Sequence, residues 1–378
     1  MASKREVTRR DFLKLSAGST ATLGLLLFNL PNFDKLFATA VAEVPVIWIQ
    51  GGGCSGCSVS VLNSLSPKIQ DVLVSPVIPG KHVSLRFHPT VMAGQGEIAM
   101  QALDDTAGIK GGYLLVVEGT IATKDDGAFC EIGERDGHGV TMLEETIALG
   151  RDAMAVIAIG TCATFGGIPA AVPNPTGSKG VQAVFAENDI STPVINLPGC
   201  PPHPDWFVGT VATVLIGGLG AVEVDDLARP VAFYGGLIHD NCPRRAYFDE
   251  GKFAKKLSEP YCLFELGCKG PVTHADCPVR LWNSGTNWCV GSGSPCIGCA
   301  EPGFPDEVSP FRTLAPLFNV TPPGQMPAIE PEKEEAGFSP ALAAGLGVAG
   351  GIAAGAAGMA IAKRSAKPEP VEEEEEKE

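Results

Sequence analysis

Twelve cysteines are the residues of this 378-residue chain that could do chemistry. Two of them, Cys54 and Cys57, form a Cys-x-x-Cys motif in a glycine-rich stretch that follows the apolar run 46–50. Glycines let a backbone approach a bulky ligand closely. Two thiolates at this spacing suit a metal ion, an iron–sulfur cluster or a redox disulfide, and the motif alone leaves all three open.

Apolar runs that alternate with helical patterns must position the first cysteines. The predicted strands are 46–50, 83–87, 113–117, 155–159 and 194–197, and the predicted helices are 58–65, 96–106, 140–149 and 181–187. Such alternation predicts an α/β fold with a doubly wound parallel sheet.

Four cysteines follow the ends of predicted strands. Cys54 and Cys57 follow the first strand, Cys162 the fourth and Cys200 the fifth, while Glu118 and Gly119 follow the third. Ligands of open α/β sheets lie beyond the carboxyl ends of the strands, so these thiols should converge. Four thiolates are the usual ligands of a cubane cluster. A structural zinc site is the alternative, but its cysteines usually come from compact knuckles, so the pattern favours a cluster.

From residue 231 onward the sequence is rich in cysteine, proline and glycine. Its candidate ligands are His239, Cys242, Cys262, Cys268, Cys277, Cys289, Cys296 and Cys299. A segment so poor in apolar runs would struggle to offset its chain entropy by burial alone, and bound clusters could supply the missing stabilisation. A lone histidine is more often a packing or surface residue, but His239 lies three residues before Cys242, which makes it a plausible imidazole ligand. Cys130 fits no group and is interpreted as a buried, inert thiol.

The first residues predict export. A twin-arginine pattern at 8–14, an apolar stretch to Leu30 and an Ala-x-Ala site at 38–40 define a signal peptide over 1–42. This route carries folded proteins, which suits cofactor loading in the reducing cytoplasm and weakens the disulfide interpretation. The net charge of −15, with no basic stripe, argues against nucleic-acid binding.

The C-terminal part of the sequence predicts a membrane anchor. A linker rich in proline and glutamate over 321–337 leads to a charge-free, Ala/Gly-rich segment over 338–362. Its 25 residues can span a bilayer as a helix, and Lys363 and Arg364 would lie on the cytoplasmic side. A flexible Ala/Gly linker is the alternative. An acidic tail, 363–378, follows.

Over residues 44–311 the sequence resembles the small subunit of nickel–iron hydrogenases. The motifs that carry the resemblance are Gly53-Cys54-Ser55-Gly56-Cys57-Ser58, Val117-Glu118-Gly119, Gly160-Thr161-Cys162, Pro198-Gly199-Cys200-Pro201-Pro202, His239-Asp240-Asn241-Cys242-Pro243, Glu265-Leu266-Gly267-Cys268-Lys269-Gly270 and Pro295-Cys296-Ile297-Gly298-Cys299. The resemblance implies a flavodoxin-like domain over 43–230, followed by an irregular iron–sulfur-cluster domain over 231–320.

The resemblance also implies three clusters, each with its ligands. A proximal 4Fe–4S cluster would be held by Cys54, Cys57, Cys162 and Cys200, a distal one by His239, Cys242, Cys262 and Cys268, and a medial one by Cys277, Cys289, Cys296 and Cys299. H₂ would be oxidised or formed at a nickel–iron or nickel–iron–selenium site on a separate large subunit, and this chain would carry no catalytic residue. Electrons would pass from proximal to medial to distal cluster, and then to a multihaem c-type or membrane b-type cytochrome or a quinone-linked acceptor. The expected location is the periplasm, with the tail anchored in the cytoplasmic membrane.

Two positions depart from the common pattern of that family. Cys289 stands where many members have proline, as in the nickel–iron–selenium branch, which implies a medial 4Fe–4S rather than 3Fe–4S cluster. Oxygen-tolerant members carry two additional cysteines around the proximal cluster; Gly56 occupies one of those positions and Cys130 matches the other, so a modified proximal cluster is not expected. The competing hypotheses are a freestanding periplasmic ferredoxin-like carrier and a non-catalytic H₂ sensor, and the export signal and anchor argue against the sensor.

Overall fold

A sheet of parallel strands organises the computed structural model, which describes residues 42–64 and 81–313. The strands of the described residues are β1 (Ala42–Gln50), β2 (Lys81–Phe87), β3 (Leu114–Glu118), β4 (Ile121–Ala122), β5 (Glu131–Arg135), β6 (His138–Thr141), β7 (Ala155–Ile159), β8 (Ser178–Lys179) and β9 (Val194–Leu197). The helices are α1 (Gly56–Leu62), α2 (Glu97–Ala107), α3 (Met142–Asp152), α4 (Gly160–Phe165), α5 (Val181–Glu187), α6 (Pro204–Gly217), α7 (Val231–Tyr234), α8 (Arg245–Asp249) and α9 (Cys277–Arg280).

The main sheet has the predicted doubly wound topology. Its order among the described residues is β2-β1-β3-β7-β9, and every pairing is parallel. Counted along the chain, these strands stand in the order 2-1-3-4-5, which is the flavodoxin-like order. All five predicted strands are confirmed, with ends that differ by up to a few residues.

Both faces of the sheet are covered, which explains the continuous apolar runs of its strands. Alternate residues of β1 and β3 point to opposite sides: Ile47 and Leu115 pack with α2, α3 and α5, whereas Trp48 and Val116 pack with α1 and α6. The second of these cores continues into the cysteine-rich segment, where it includes Ile238, Leu263, Trp288 and Val290. The sheet and the cysteine-rich segment therefore share one apolar core.

The pattern of apolar residues did not predict α6, which is one of the main buried helices. Its sequence is apolar almost all round, and Trp206, Phe207 and Val211 are among its many buried residues. A helix without a polar face lacks the amphipathic period on which sequence interpretation depends. His203 marks its start in the structure, because the imidazole Nδ1 accepts a hydrogen bond from the backbone N–H of Asp205 at 3.1 Å.

The predicted helix 140–149 is wrong at its start and short at its end. Residues 140 and 141 belong to strand β6, which pairs with β5 in an antiparallel hairpin, and helix α3 runs from Met142 to Asp152. The Thr141 side chain caps the helix by accepting a hydrogen bond from the backbone N–H of Glu144 at 3.1 Å. A threonine that is both the last residue of a strand and a helix cap sets this boundary.

Short helices and turns make up the cysteine-rich segment, in agreement with the predicted irregular character. Its α-helices, α7, α8 and α9, have four or five residues each. Within 42–64 and 81–313, no helix is long and apolar enough to cross a bilayer. The predicted linker, anchor and acidic tail lie outside the described residues, as does the signal peptide up to residue 41.

Trp206 offers a test of the shared core. Its side chain is 1% exposed, packs on the Tyr234 ring at 4.9 Å, and donates a hydrogen bond from Nε1 to Asp276 Oδ1 at 2.8 Å. We expect Trp206→Ala to lower the free energy of unfolding by about 3–5 kcal/mol, because it leaves a large cavity. Denaturant unfolding measures this, with Val59→Ala, at a side chain that is 51% exposed, as the control. A loss of less than about 1 kcal/mol would contradict the shared core.

Candidate iron–sulfur sites

The carboxyl ends of β1, β7 and β9 bring the first four cysteines together, as the sequence predicted. Cys54 lies in the loop after β1 and is exposed, Cys57 lies in the first turn of α1, Cys162 in α4, and Cys200 in the loop after β9. Burial raises the pKa of the Cys57 thiol strongly, and Glu118 and the other three thiols raise it further. Burial also raises the pKa of Cys162 to about 11. We call these four residues the proximal group.

Two glycines allow the strand ends to approach this closely. Gly160 has φ +87°, and a Cβ built there would lie 2.5 Å from Cys57 Sγ. Gly119 has φ +81°, and its Cβ would lie 2.9 Å from the carbonyl carbon of Gly51. At both positions only glycine fits the conformation and the space. The thiols therefore surround a cradle that a side chain at residue 160 would enter.

Glu118 holds the backbone beside the proximal group in place through buried hydrogen bonds. The carboxylate is 1% exposed and accepts hydrogen bonds from Trp48 Nε1 at 2.9 Å, Gln50 Nε2 at 2.8 Å and the Ser58 backbone N–H at 3.0 Å. Ser58 Oγ also donates to it, and His88 Nε2 lies 3.1 Å from the same hydroxyl. Burial lowers the pKa of His88. The sequence marked Glu118 only as part of a motif, and the structure shows it anchoring the residue next to Cys57.

Cys277, Cys289, Cys296 and Cys299 form a second group, which we call the medial group. Burial raises the pKa of Cys277, and the thiols of Cys299 and Cys289 raise it further. Burial raises the pKa of Cys299 to about 12 and that of Cys296 well above its usual range, and the thiols of Cys299 and Cys277 are among the causes for Cys296. Cys289 is the exposed member. The structure thus brings together the four residues that the family resemblance assigned to the medial cluster.

The third group, which we call the distal group, consists of His239, Cys242, Cys262 and Cys268, and all four line one small cavity. Burial raises the pKa of Cys242 to about 11 and that of Cys262 to about 12. Burial and Arg245 lower the pKa of His239 to about 4, so its imidazole is neutral at physiological pH.

A buried imidazole nitrogen without a hydrogen-bond partner in the described part of the chain indicates that the distal group can bind a metal centre. His239 Nε2 is buried and has no hydrogen-bond partner among the described residues, although the ring packs on Phe248 at 4.5 Å. A buried polar atom without a partner is rare and costly, and a metal ligand is one reason to keep it. Metal ligation requires a neutral imidazole and deprotonated thiols, and burial already supplies the first of these.

No three His, Cys, Asp or Glu side chains of residues 42–64 and 81–313 converge as they would around a single metal ion. A 4Fe–4S cluster attaches each of its four ligands to a different iron, so its ligands stand further apart than those of one zinc ion. Two sets of four thiols, and a set of three thiols with a neutral imidazole, have the donor chemistry of such clusters.

Cys130 lies apart from the three groups of proposed ligands. It is half-buried against the core between the sheet and helices α2, α3 and α5, and burial raises its pKa.

Three of the four tryptophans of the chain lie beside the medial group, and the fourth contacts Glu118. Trp48 Nε1 donates a hydrogen bond to Glu118, and Trp206 Nε1 donates one to Asp276, the residue before Cys277. The Trp282 side chain hydrogen-bonds the Cys277 thiol, and Trp288 precedes Cys289.

Comparison with known protein sequences identifies the family of this chain. Residues 234–312 match the C-terminal domain of the "NiFe/NiFeSe hydrogenase small subunit", and residues 54–214 match "NADH ubiquinone oxidoreductase, 20 Kd subunit". The periplasmic [NiFeSe] hydrogenase small subunit of Desulfomicrobium baculatum is 44% identical over 316 residues, which cover 81% of this chain and 98% of that protein. The chain belongs to the hydrogenase small-subunit family. Members of this family are iron–sulfur proteins, which agrees with the three cysteine groups.

Other hydrogenase small subunits support the assignment. The periplasmic [NiFe] hydrogenase small subunit 1 of Nitratidesulfovibrio vulgaris is 40% identical over 82% of this chain and 94% of its own length. The solved oxidised recombinant [NiFeSe] hydrogenase from Desulfovibrio vulgaris Hildenborough is 45% identical, covers 74% of this chain and 99% of its own, and superposes with a TM-score of 0.68. The predicted family and fold class are thereby confirmed.

The close contact between residue 160 and Cys57 Sγ can be tested by substitution in this hydrogenase subunit. We expect Gly160→Ala to bind less iron than the unsubstituted chain, because the added Cβ would displace Cys57 Sγ. Gly137→Ala is the matched control: Gly137 also has a positive φ, +79°, but nothing lies within 4 Å of its Cβ position. The control should keep its iron and lose only about 1–2 kcal/mol to backbone strain. Equal iron contents in the two variants would contradict the assignment of the cradle.

Proposed function

We propose that this chain is the electron-transfer subunit of a periplasmic hydrogenase, and that its three groups hold three 4Fe–4S clusters. The observation that carries this proposal is the order in which the groups touch. The thiols of Cys200 and Cys299 interact, and Thr161 Oγ, one residue before Cys162, donates to the backbone carbonyl of Cys299. At the other side, the backbone N–H of Cys296 donates to Cys268 Sγ at 3.4 Å. The medial group therefore joins the proximal group to the distal group.

The proposed ligands follow the three groups. Cys54, Cys57, Cys162 and Cys200 hold the proximal cluster, Cys277, Cys289, Cys296 and Cys299 the medial cluster, and His239, Cys242, Cys262 and Cys268 the distal cluster. When bound, the clusters supply one-electron carriers. The chain's own part is to fix their spacing and to exclude water, since most of the ligands are buried or half-buried. We also propose a division at residue 230 between a flavodoxin-like domain, 43–230, and the cluster domain, 231–320.

A large subunit is the proposed partner, and it carries the nickel–iron or nickel–iron–selenium site where H₂ is oxidised to protons or formed. Support comes from the surface beside the proximal group, where Cys54 is exposed. Val59 and Leu62 on α1 are 51% and 47% exposed, and Val59 borders a cleft of about 470 Å³ that Gly56 and Pro201 also line. An apolar surface next to a redox group suits a protein interface.

The proposed location is the periplasm, reached by the twin-arginine route with 1–42 as signal peptide and with 338–362 as membrane anchor. The names of the periplasmic relatives support the compartment. The signal and the anchor fall almost entirely outside the described residues and are proposed from the sequence alone. A multihaem c-type cytochrome, a membrane b-type cytochrome or a quinone-linked carrier is the proposed electron acceptor.

Activity of the separated chain tests this function. We expect the purified chain, loaded with iron, to show no H₂ uptake, and the complex with its large subunit to show it, because all the proposed ligands here serve clusters and leave no set for nickel. Dye-linked H₂ uptake measures both samples. Robust uptake by the chain alone would overturn the proposal, and failure to isolate any complex from the native source would favour a freestanding carrier.

Cys289 tests the medial assignment. Replacing it by proline removes the thiolate of one iron, so we expect Cys289→Pro to convert the medial cluster to 3Fe–4S and to raise its potential. Electron paramagnetic resonance of the oxidised protein should then show a signal near g ~2.01 that the unsubstituted protein lacks. Cys130→Ser is the matched control and should change neither the spectrum nor the iron content. A stoichiometric 3Fe–4S signal in the intact, unsubstituted protein would mean that Cys289 is not a ligand.

A further inference from the structure

Lys269 is a fully buried lysine that lies outside the proposed ligand sets. Its side chain is among the largest fully buried ones of the described residues, and the residue is 1% exposed. The Nζ atom donates to the backbone carbonyls of Gly267, at 2.8 Å, and of Arg312. Within residues 42–64 and 81–313, Lys269 forms no ion pair with a carboxylate. Lysine is almost never buried this fully unless a negative partner compensates it, so a partner other than a carboxylate is needed.

The thiolates of two cluster groups are the negative partners that the structure offers. Burial lowers the pKa of the Lys269 ammonium, and the negative charges of Cys268 in the distal group and Cys296 in the medial group oppose that effect. Lys269 follows Cys268 in the chain, and its backbone N–H donates to the carbonyl of Cys296 at 2.8 Å. Its position is therefore fixed with respect to both groups at once.

The side chain of Lys269 runs along the medial loop. A Cβ built on Gly298, between Cys296 and Cys299, would lie 3.2 Å from Lys269 Cβ and 3.4 Å from its Cγ. Gly298 has φ +75°, and the same Cβ would lie 2.1 Å from Val308 Cγ1, so both the conformation and the packing favour glycine there. The lysine is thus packed between the distal ligand Cys268 and the loop that carries two medial ligands.

We propose that Lys269 is a positioning residue that places one fixed positive charge between the medial and distal clusters and raises the reduction potential of both. The inference rests on the proposed function, since it needs the two clusters. Each one-electron reduction adds a negative charge to a cluster without making or breaking a bond. A buried cation stabilises that added charge more than water would, because the interior screens charges weakly.

A purely structural role is the alternative. The contact from Nζ to the Arg312 carbonyl holds the segment around Arg312, and Gly267, with φ +91°, lies against the backbone of Phe311. Loss of that contact could loosen the segment without changing any potential. The experiment must therefore measure potentials as well as stability and activity.

The test uses the assembled, iron-loaded complex and compares the unsubstituted chain with three variants. Lys269→Met removes the charge but keeps an unbranched apolar stem of similar length. Lys269→Arg keeps the charge, and Lys110→Met removes an equal charge from a side chain that is 76% exposed. Redox titrations followed by electron paramagnetic resonance give the potentials of the medial and distal clusters in each protein.

We expect Lys269→Met to lower the ratio of reduced to oxidised medial and distal clusters at least tenfold at a fixed solution potential, which corresponds to about 59 mV for one electron. Lys269→Arg should largely retain the unsubstituted potentials, and Lys110→Met should change the ratio less than twofold. A change of less than twofold for both clusters in Lys269→Met overturns the inference, as does an equal change in Lys110→Met.

Two other outcomes are also decisive. If Lys269→Met does not assemble, Lys269→Gln, which is neutral but can still donate a hydrogen bond, carries the same expectation. If neither neutral variant loads iron while Lys269→Arg does, the charge is needed for assembly rather than for tuning, and the inference is overturned. An unsubstituted complex without three cluster signals would instead overturn the proposed function. Failure of the proposed function is therefore distinguishable from failure of the inference about Lys269.

Discussion

The burial of sulfur is the constraint on which the rest of the structure depends. Burial is the first cause of the raised pKa at nearly every proposed cysteine ligand, from Cys57 to Cys299, so the isolated thiols resist the ionised form that metal binding requires. The neutral state of His239 has the same origin. Bound iron would reverse this balance, because it stabilises thiolates directly. Folding of the cysteine-rich segment and loading of iron are therefore expected to depend on each other.

The backbone geometry of the parallel sheet brings the cysteines of the proximal group together. It delivers Cys57, Cys162 and Cys200 from separate strand ends, and the glycine at residue 160 lets them meet without a collision. The apolar core that begins on β1 and β3 continues into the cysteine-rich segment, so that segment packs against the sheet. Contacts between neighbouring groups, such as Cys296 N–H to Cys268 Sγ, then fix one group relative to the next.

The sequence predicted those features that repeat or that need a particular residue type. Continuous apolar runs predicted the five strands of the main sheet, and the positions of four cysteines after strand ends predicted the proximal group. The family resemblance supplied the medial and distal groups, which the structure also brings together. The sequence did not predict α6, whose apolar residues surround the whole helix, or the boundary at Thr141, which depends on a side-chain cap. It also did not predict the contacts of Lys269 and Glu118, because their partners, such as Arg312 and Trp48, lie far away along the chain.

The placement of the tryptophans gives the molecule a built-in optical reporter. Of the four tryptophans in the chain, Trp206, Trp282 and Trp288 lie beside the medial group. Trp48 donates a hydrogen bond to Glu118 at the proximal group. Iron–sulfur clusters absorb broadly across the near ultraviolet, where excited indole emits. The loaded chain should therefore show weak tryptophan fluorescence, and loss of the medial cluster should increase the emission of the three indoles beside it.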